Sequence, residues 1–169
     1  VTGVQTCALP ILPGVVAGMQ LAHQRFGCTP WPELVMPAVG LAQQGMAIDW
    51  YSALLIASSA RWLAEDADAA RMFLDEGHWP KIGSWAADAN QRLDQSALAQ
   101  SLRAVADEGA AAFYGGDVGQ AMVRDIRSKG GSMSIDDLRD YRAEWVEPLE
   151  IAYRGGRSEE HTSELQSPY

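Results

Sequence analysis

The stretch from Gly109 to Gly156 constrains this chain most, because glycines set its turns and leave little choice of topology between them. It opens Gly-Ala-Ala-Ala-Phe-Tyr-Gly-Gly, where a helix ends in an aromatic pair and two more glycines. One helix follows, the chain turns on Gly130-Gly131, and a second short helix runs through Ile-Asp-Asp-Leu-Arg-Asp-Tyr. Glu-Pro-Leu-Glu-Ile-Ala-Tyr-Arg-Gly then alternates as a strand does. Glycine alone takes positive φ cheaply at the residue after a helix, so the spacing predicts a helix-turn-helix-strand unit.

The two ends read differently from the middle. Thr6 to Ile11 can be encoded by ACG TGT GCT CTT CCG ATC, and its reverse complement, preceded by one A, translates as Arg157 to Thr162. Extending the same DNA back through Val1 to Gln5 yields Ser163 to Ser167 on the other strand. Opposite ends of one chain thus translate the two strands of one short DNA, which resembles a sequencing-library adapter. The rival reading, a signal-peptide remnant and a polar tail, does not account for the complementarity. Residues 1–11 and 157–169 are therefore expected to be adapter-derived, and residues 12–156 to be the native segment.

Composition narrows the partners. The chain carries a formal charge of −9 and stays acidic once the tail's Arg157, Glu159, Glu160 and Glu164 are set aside. Binding nucleic acid or an anionic membrane needs clustered Lys and Arg, so neither is an expected partner. Of two cysteines only Cys28 lies in the native segment, leaving no internal disulfide and no zinc spacing. No run of about 18 apolar residues exists to span a membrane. No metal or cofactor is implied.

Periodicity predicts about six or seven helices and one terminal strand. Val15, Met19, Leu21, Ala22 and Phe26 lie near helical spacing, and Gly27 ends that helix. Gly14 and Gly18, four apart, permit another element to approach closely; the segment lacks the Lys-Ser/Thr of a phosphate loop. Thr29-Pro30-Trp31-Pro32-Glu33 starts a second helix, with Leu34, Ala38, Leu41 and Ala42 expected on its inner face, a bend at Pro37 and a stop at Gly45. Asp49 is the predicted cap of a third, with Leu55, Trp62 and Leu63 on one face. A shorter helix follows Asp66 through Met72 and Phe73 to Gly77, and His78 to Ser84 is too rich in Pro and Gly for regular structure. Asp94 or Ser96 caps a helix carrying Leu98, Leu102, Val105 and Ala106. Asp117 caps another with Val118, Ala121, Met122 and Ile126 inward, and Ser134-Ile135-Asp136-Asp137 reads as a capping box. Leu149, Ile151 and Tyr153 alternate as a strand whose partners are expected elsewhere.

Chemistry is harder to find. Gly130-Gly131-Ser132-Met133-Ser134 lacks the second glycine of a nucleophile elbow, so Ser134 reads as a cap. His23 lies on an amphipathic helix and reads as structural. His78 sits in a polar loop without a second His or Cys at metal spacing. The acidic groups Glu65-Asp66-Asp68 and Asp136-Asp137 fall at helix ends, where capping explains them without acid/base work. Cys28 has no neighbouring base. The six tryptophans read as core packing and helix-end anchors.

In order along the chain, Leu-Pro-Gly-Val-Val-Ala-Gly from Leu12, Phe26-Gly27, Pro37 to Gly45, Met72 to Gly77, Leu98 to Gly116, Gly130 to Tyr141 and Pro148 to Gly155 resemble the large subunit of gamma-glutamyltranspeptidases. Trp50-Tyr51 and the Trp85-to-Arg92 loop depart from that pattern. The resemblance implies a mainly α fragment with one terminal strand, drawn from an α+β, four-layer αββα N-terminal-nucleophile hydrolase. It further implies a precursor that cuts itself, and a terminal threonine of the small subunit that attacks gamma-glutamyl amides such as glutathione. The family's carboxylate-binding arginine lies upstream and its nucleophile downstream. Thr29, the lone threonine between residues 12 and 156, does not match the nucleophile motif. No catalytic, substrate-binding or metal residue is carried over. The implied partners are the small subunit of the same precursor and gamma-glutamyl substrates, and a periplasmic or secreted location is expected from the family. Two alternatives stay open: a related acylase acting on another amide, and a non-enzymatic helical binding domain, which would unfold sharply as a monomer where the fragment would not.

Overall fold

The computed structural model describes residues 12–81, 92–147, 149–153 and 156–160; for the last two ranges only the backbone is described. Both chain ends, residues 82–91, Pro148 and residues 154–155 lie outside the described residues, and with them all of the unusual 85–92 loop except Arg92. Eight helices carry the described part: α1 Val15–Phe26, α2 Trp31–Gln44, α3 Trp50–Leu63, α4 Ala67–Phe73, α5 Ser96–Glu108, α6 Ala110–Tyr114, α7 Asp117–Ser128 and α8 Ile135–Asp140. Short antiparallel pairs join them: β1 Met46–Ala47 with β4 Arg92–Leu93, β2 Leu74–Asp75 with β3 Trp79–Pro80, and β5 Leu149–Tyr153 with β6 Gly156–Glu160.

α2 and α5 pack along each other through Val39, Ala42, Ala99 and Leu102. The face foreseen for α2 is displaced: Ala42 is buried as expected, but Ala38 is exposed. Leu34 and Leu41 are 52% and 68% exposed, while Val39 is fully buried and Val35 half-buried, one and two turns from Ala42. α2 is apolar on nearly all sides, so its period could not say which side faces α5. The helix runs uninterrupted through Pro37 and stops at Gly45, whose φ is +72°. A Cβ there would also sit 2.5 Å from the Leu93 carbonyl oxygen, where β4 crosses β1. Glycine satisfies both demands.

The α3–α4 region has its own cluster of Ile48, Ile56, Leu74 and Leu93, with Ala53, Ala60, Leu63 and Phe73 against it. Asp49 caps α3 by accepting from the Ser52 N–H at 2.7 Å, and Asp66 caps α4 by accepting from Asp68 and Ala69 at 3.0 and 2.9 Å. The inner face of α3 is again displaced from the expected one: Ile56 is buried, whereas Leu55 and Trp62 are 49% and 68% exposed. The helix expected to run to Gly77 stops at Phe73, and β2 and β3 form a tight hairpin that reaches into the stretch from His78 expected to be irregular. Glu76 and Gly77 both take positive φ, +52° and +76°, and the His78 N–H closes on the Asp75 carbonyl at 3.1 Å. Three residues, Glu76 to His78, lie between the paired Asp75 and Trp79, and the two with positive φ reverse the chain.

A third cluster joins the chain's two described halves. Tyr114, Val123 and Leu138 are buried together, with Val16, Ala17, Phe113, Met122, Ile135 and Tyr141 around them. The Ala-Ala-Ala-Phe-Tyr segment, foreseen as a helix end and an aromatic pair, is itself the short helix α6. α7 ends in a Schellman arrangement, Gly131 N–H to Ile126 O at 2.8 Å and Gly130 N–H to Arg127 O at 3.1 Å, with Gly130 at φ +88°. Ser134 and Asp137 form the capping box of α8 as its sequence indicates. Of the residues expected inward on α7, Val118, Met122 and Ile126 are half-buried and Ala121 is exposed; Gly119 and Val123 are the buried ones.

The strand at Leu149–Tyr153 forms, but five other short strands accompany it and its partner is the next piece of chain. The register sets Leu149 against Glu160, Glu150 against Glu159 and Ile151 against Ser158. β5 alternates in sequence; β6 does not.

Candidate functional site

The best-built polar node lies where α1 meets α6. Tyr114 donates its hydroxyl proton to the Pro13 carbonyl at 2.6 Å and accepts from the Ala17 N–H at 3.2 Å. Its ring stacks on Tyr141, centroids 5.4 Å apart and planes within 13°, and meets Phe113 edge-on. Burial pushes the phenol above its ordinary value, so it stays neutral. One helix further, Gln20 Oε1 accepts from the Ala110 N–H at 3.0 Å at the start of α6. The Tyr114 hydroxyl and Gln20 Oε1 are both used in holding α1 to α6, which makes the node an anchor.

A second concentration of charge links α4 to α7. Lys129 Nζ lies 2.8 Å from Asp66 Oδ2, 3.2 Å from Asp125 Oδ1 and 3.9 Å from Asp68 Oδ2. The hydrogen bond from Lys129 is the main reason the Asp66 carboxyl falls below its usual range, and the bond to Asp66 in turn raises Lys129. All these groups are well exposed. Asp66 and Asp68 of the acidic triplet are therefore spent on a helix cap and on ion pairs. Nothing local in the sequence tells that Lys129 would meet Asp66, far back in the chain.

The remaining candidates are also accounted for locally. Ser134 Oγ accepts from the Asp137 N–H at 3.2 Å and donates to Asp137 Oδ2 at 2.8 Å. The Ser134 N–H and hydroxyl together hold Asp137 below the ordinary carboxyl range. Asp136 pairs with Arg139 at 3.4 Å. His23 Nε2 donates to the Thr29 carbonyl at 2.7 Å and its ring meets Trp31 edge-on, a structural histidine. His78 is exposed in the β2–β3 hairpin, and Cys28 is exposed with its thiol 3.8 Å from the Phe26 carbonyl. Trp31 behaves as the anchor foreseen for it, Nε1 donating to Val105 O at 2.8 Å. Trp50, Trp62, Trp79 and Trp145 do not: they are 78%, 68%, 67% and 52% exposed, against the expectation of core packing. Trp85 lies outside the described residues.

An open cleft of about 290 Å³ lies beside the end of α2, lined by Leu41, Gln44, Met46, Arg92 and Gln95 among others. Arg92 donates to the Gln44 and Gly45 carbonyls, at 2.6 Å from Nε and 2.9 Å from Nη2 respectively. Its charge is directed at the negative end of a helix, which caps α2. Among the described residues no group of three His, Cys, Asp or Glu is placed to hold a metal ion, and no helix is long and apolar enough to cross a membrane.

With no assembled reaction centre in the described residues, comparison with known proteins decides the kinship. The family model for gamma-glutamyltranspeptidase matches residues 1–166. This chain belongs to the gamma-glutamyltranspeptidase family. It is 38% identical to the acylase ACY 1 proenzyme of Pseudomonas sp. (strain V22), over 85% of this chain and 25% of that protein. To glutathione hydrolase 3 of Arabidopsis thaliana it is 31% identical, over 85% of this chain and 22% of the relative. The crystal structure of Helicobacter pylori gamma-glutamyltranspeptidase superimposes with a TM-score of 0.79 at 26% identity, covering 91% of this chain and 42% of that one. The chain thus spans about a quarter of the length of the curated relatives it matches. It has the fold of a mainly helical part of these N-terminal-nucleophile hydrolases, and the family is one of enzymes.

Proposed function

We propose that residues 12–156 are the helical part of the large subunit of a self-processing gamma-glutamyl hydrolase/transferase, with the catalytic groups supplied by other parts of the precursor. The family match over nearly the whole chain carries this reading. In such an enzyme the terminal threonine exposed by self-cleavage attacks the gamma-glutamyl carbonyl, its own amino group or a water taking the hydroxyl proton. The amine leaves with a proton, and the acyl-enzyme passes its glutamyl group to water or to an amino acid. The chain's own part is to build a scaffold: the Tyr114 node, the α2–α5 pair and the Lys129 tie each consume their polar groups in folding.

Residues 1–11 and 157–169 are, in this reading, foreign to that protein. The register of β5 with β6 supports it, since two glutamates stand directly opposite each other and the alternation of β5 meets none in β6. Like charges at directly opposed positions disfavour pairing.

A related acylase is the second reading, favoured by the 38% identity to an acylase proenzyme against 31% to a glutathione hydrolase. The test is to recover the surrounding reading frame, express the full precursor and follow two readouts. Cleavage into two subunits and release of amine from a gamma-glutamyl anilide are expected. Cleavage with turnover only of acyl amides lacking the α-amino and α-carboxylate groups would move the assignment to the acylase. An intact, inactive chain would overturn both.

A further inference from the structure

α3 buries one side and leaves the other apolar and open. Ile56 packs with Leu74 and Leu93, whereas Trp50, Tyr51, Leu54, Leu55 and Trp62 on the opposite side are between 49% and 78% exposed. Trp50-Tyr51 also depart from the family's pattern, so the face is particular to this chain. A continuous apolar surface holding two tryptophans and a tyrosine marks an interaction site. Together these side chains expose on the order of 600 Å². Two such faces pressed together would remove about 1,200 Å² from water, where the range of stable protein pairs begins.

The order of residues along the face says what fits it. Tyr51, Leu54, Ser58 and Arg61 follow one another at steps of three, four and three, the seam along which two helices pack side by side. Those steps read the same backwards. Laid antiparallel against a copy of itself, the seam sets Leu54 beside Ser58 and Tyr51 beside Arg61, a large side chain against a small one and a ring against a guanidinium. Ser58 can be covered without losing a hydrogen bond, because its hydroxyl donates to the Leu55 carbonyl of its own helix at 2.9 Å. Arg61 already lies on an aromatic surface, its guanidinium 5.8 Å from the centre of the Trp62 ring. A parallel pair would place two copies of Arg61 side by side. An antiparallel pair holds them about 15 Å apart along the helix axis.

We propose that the Tyr51–Leu54–Ser58–Arg61 face of α3, flanked by Trp50, Leu55 and Trp62, is where a second copy of this protein docks, the two α3 helices running antiparallel about a two-fold axis. Many apolar surfaces match such an area, but a seam that pairs with its own reverse selects a second copy. The inference goes beyond the precursor reading and does not depend on which amide is cleaved.

The experiment follows the full-length protein by sedimentation velocity over a wide range of concentrations, unaltered and as the separate variants Leu54→Glu and Ser58→Arg. Both positions are exposed in the structure, and circular dichroism verifies that each variant is folded. The unaltered protein should be a dimer that dissociates on dilution. Each variant alone should pair about a hundredfold more weakly, since it covers a charge without a partner. An equimolar mixture of the two should regain the dimer mass, because the antiparallel seam sets the new carboxylate beside the new guanidinium. A monomer at every concentration would overturn the proposal, and so would a dimer that neither substitution weakens. A mixture that stays monomeric would overturn the antiparallel pairing and with it the second copy as occupant. Should either variant unfold, Trp62→Ala, which trims one exposed side chain, tests the interface by itself: pairing about tenfold weaker is expected, and unchanged pairing would overturn it. Loss of self-cleavage in the unaltered protein would bear on the precursor reading alone.

Discussion

The Tyr114 cluster and the α3–α4 region are built from similarly apolar helices, yet they hold their residues in different ways. Around Tyr114 the apolar contacts come with polar anchors of fixed direction: a hydroxyl shared between Pro13 and Ala17, a capping box and a Schellman turn. In the α3–α4 region Ile56, Leu74 and Leu93 are buried, but Trp50, Tyr51, Leu54, Leu55 and Trp62 stand out along the other side of α3. One cluster is complete within the chain. The other has caps at Asp49 and Asp66 as well, yet leaves one side of α3 exposed, so the difference lies in which apolar side chains are covered.

Paired truncations should break that contrast if it is false. Leu138→Ala removes a fully buried side chain from the Tyr114 cluster and should cost about 2–5 kcal/mol in denaturant unfolding. Leu55→Ala, at a half-exposed site, should stay within about 0.5 kcal/mol in the dilute, monomeric chain. Equal losses would mean that the α3 face is as well packed as the Tyr114 cluster.

Next in size comes the anchor itself. Tyr114→Phe leaves the Pro13 carbonyl and the Ala17 N–H without their partner, which should cost about 1–3 kcal/mol by the same measurement. No change would reduce the node to ring packing. Ser134→Ala should cost about 1 kcal/mol through loss of the capping box, and Ser134→Asp should recover most of it; failure of that rescue would point to the Ser134 hydroxyl's bond with Asp137 instead.

The smallest effect concerns the Asp66–Lys129 tie between α4 and α7, and it depends on pH. Asp66 has a folded pKa lowered from 3.8, so its contribution is complete above that value and fades as pH falls through the lower folded one. Lys129 is raised from 10.5, so its contribution is complete below that value and is lost as pH climbs through the higher folded one. Lys129→Met should flatten both limbs of a stability-against-pH curve. An unchanged acid limb would leave Asp66 with its cap alone.

Much of the local structure could be read before any coordinates. Asp49 and Asp66 as caps, the Ser134–Asp137 box and the breaks at Gly27, Gly45, Gly109 and Gly130 all depend on a few neighbouring residues, so the local chain encodes them. The sequence also carried the family resemblance, because ordered motifs from Leu12 to Gly155 need no contact to be recognised. The inward faces of α2 and α3 were misread, since both helices are apolar on most sides and periodicity then has no phase to report. The hairpin at Leu74–Pro80 was missed because it is too short to alternate, and the strand partner of β5 because pairing is set by register between segments.

By itself, then, the sequence determined several helix caps and breaks, that the chain is acidic, and which family it joins, since each rests on local spacing or on residue order. Tertiary structure alone decided that Lys129 meets Asp66, that Tyr114 closes on Pro13 and Tyr141, and that the Trp50–Trp62 side of α3 is left open. Those facts join residues far apart along the chain, and only the folded backbone brings such positions within the few ångströms over which bonds and contacts act.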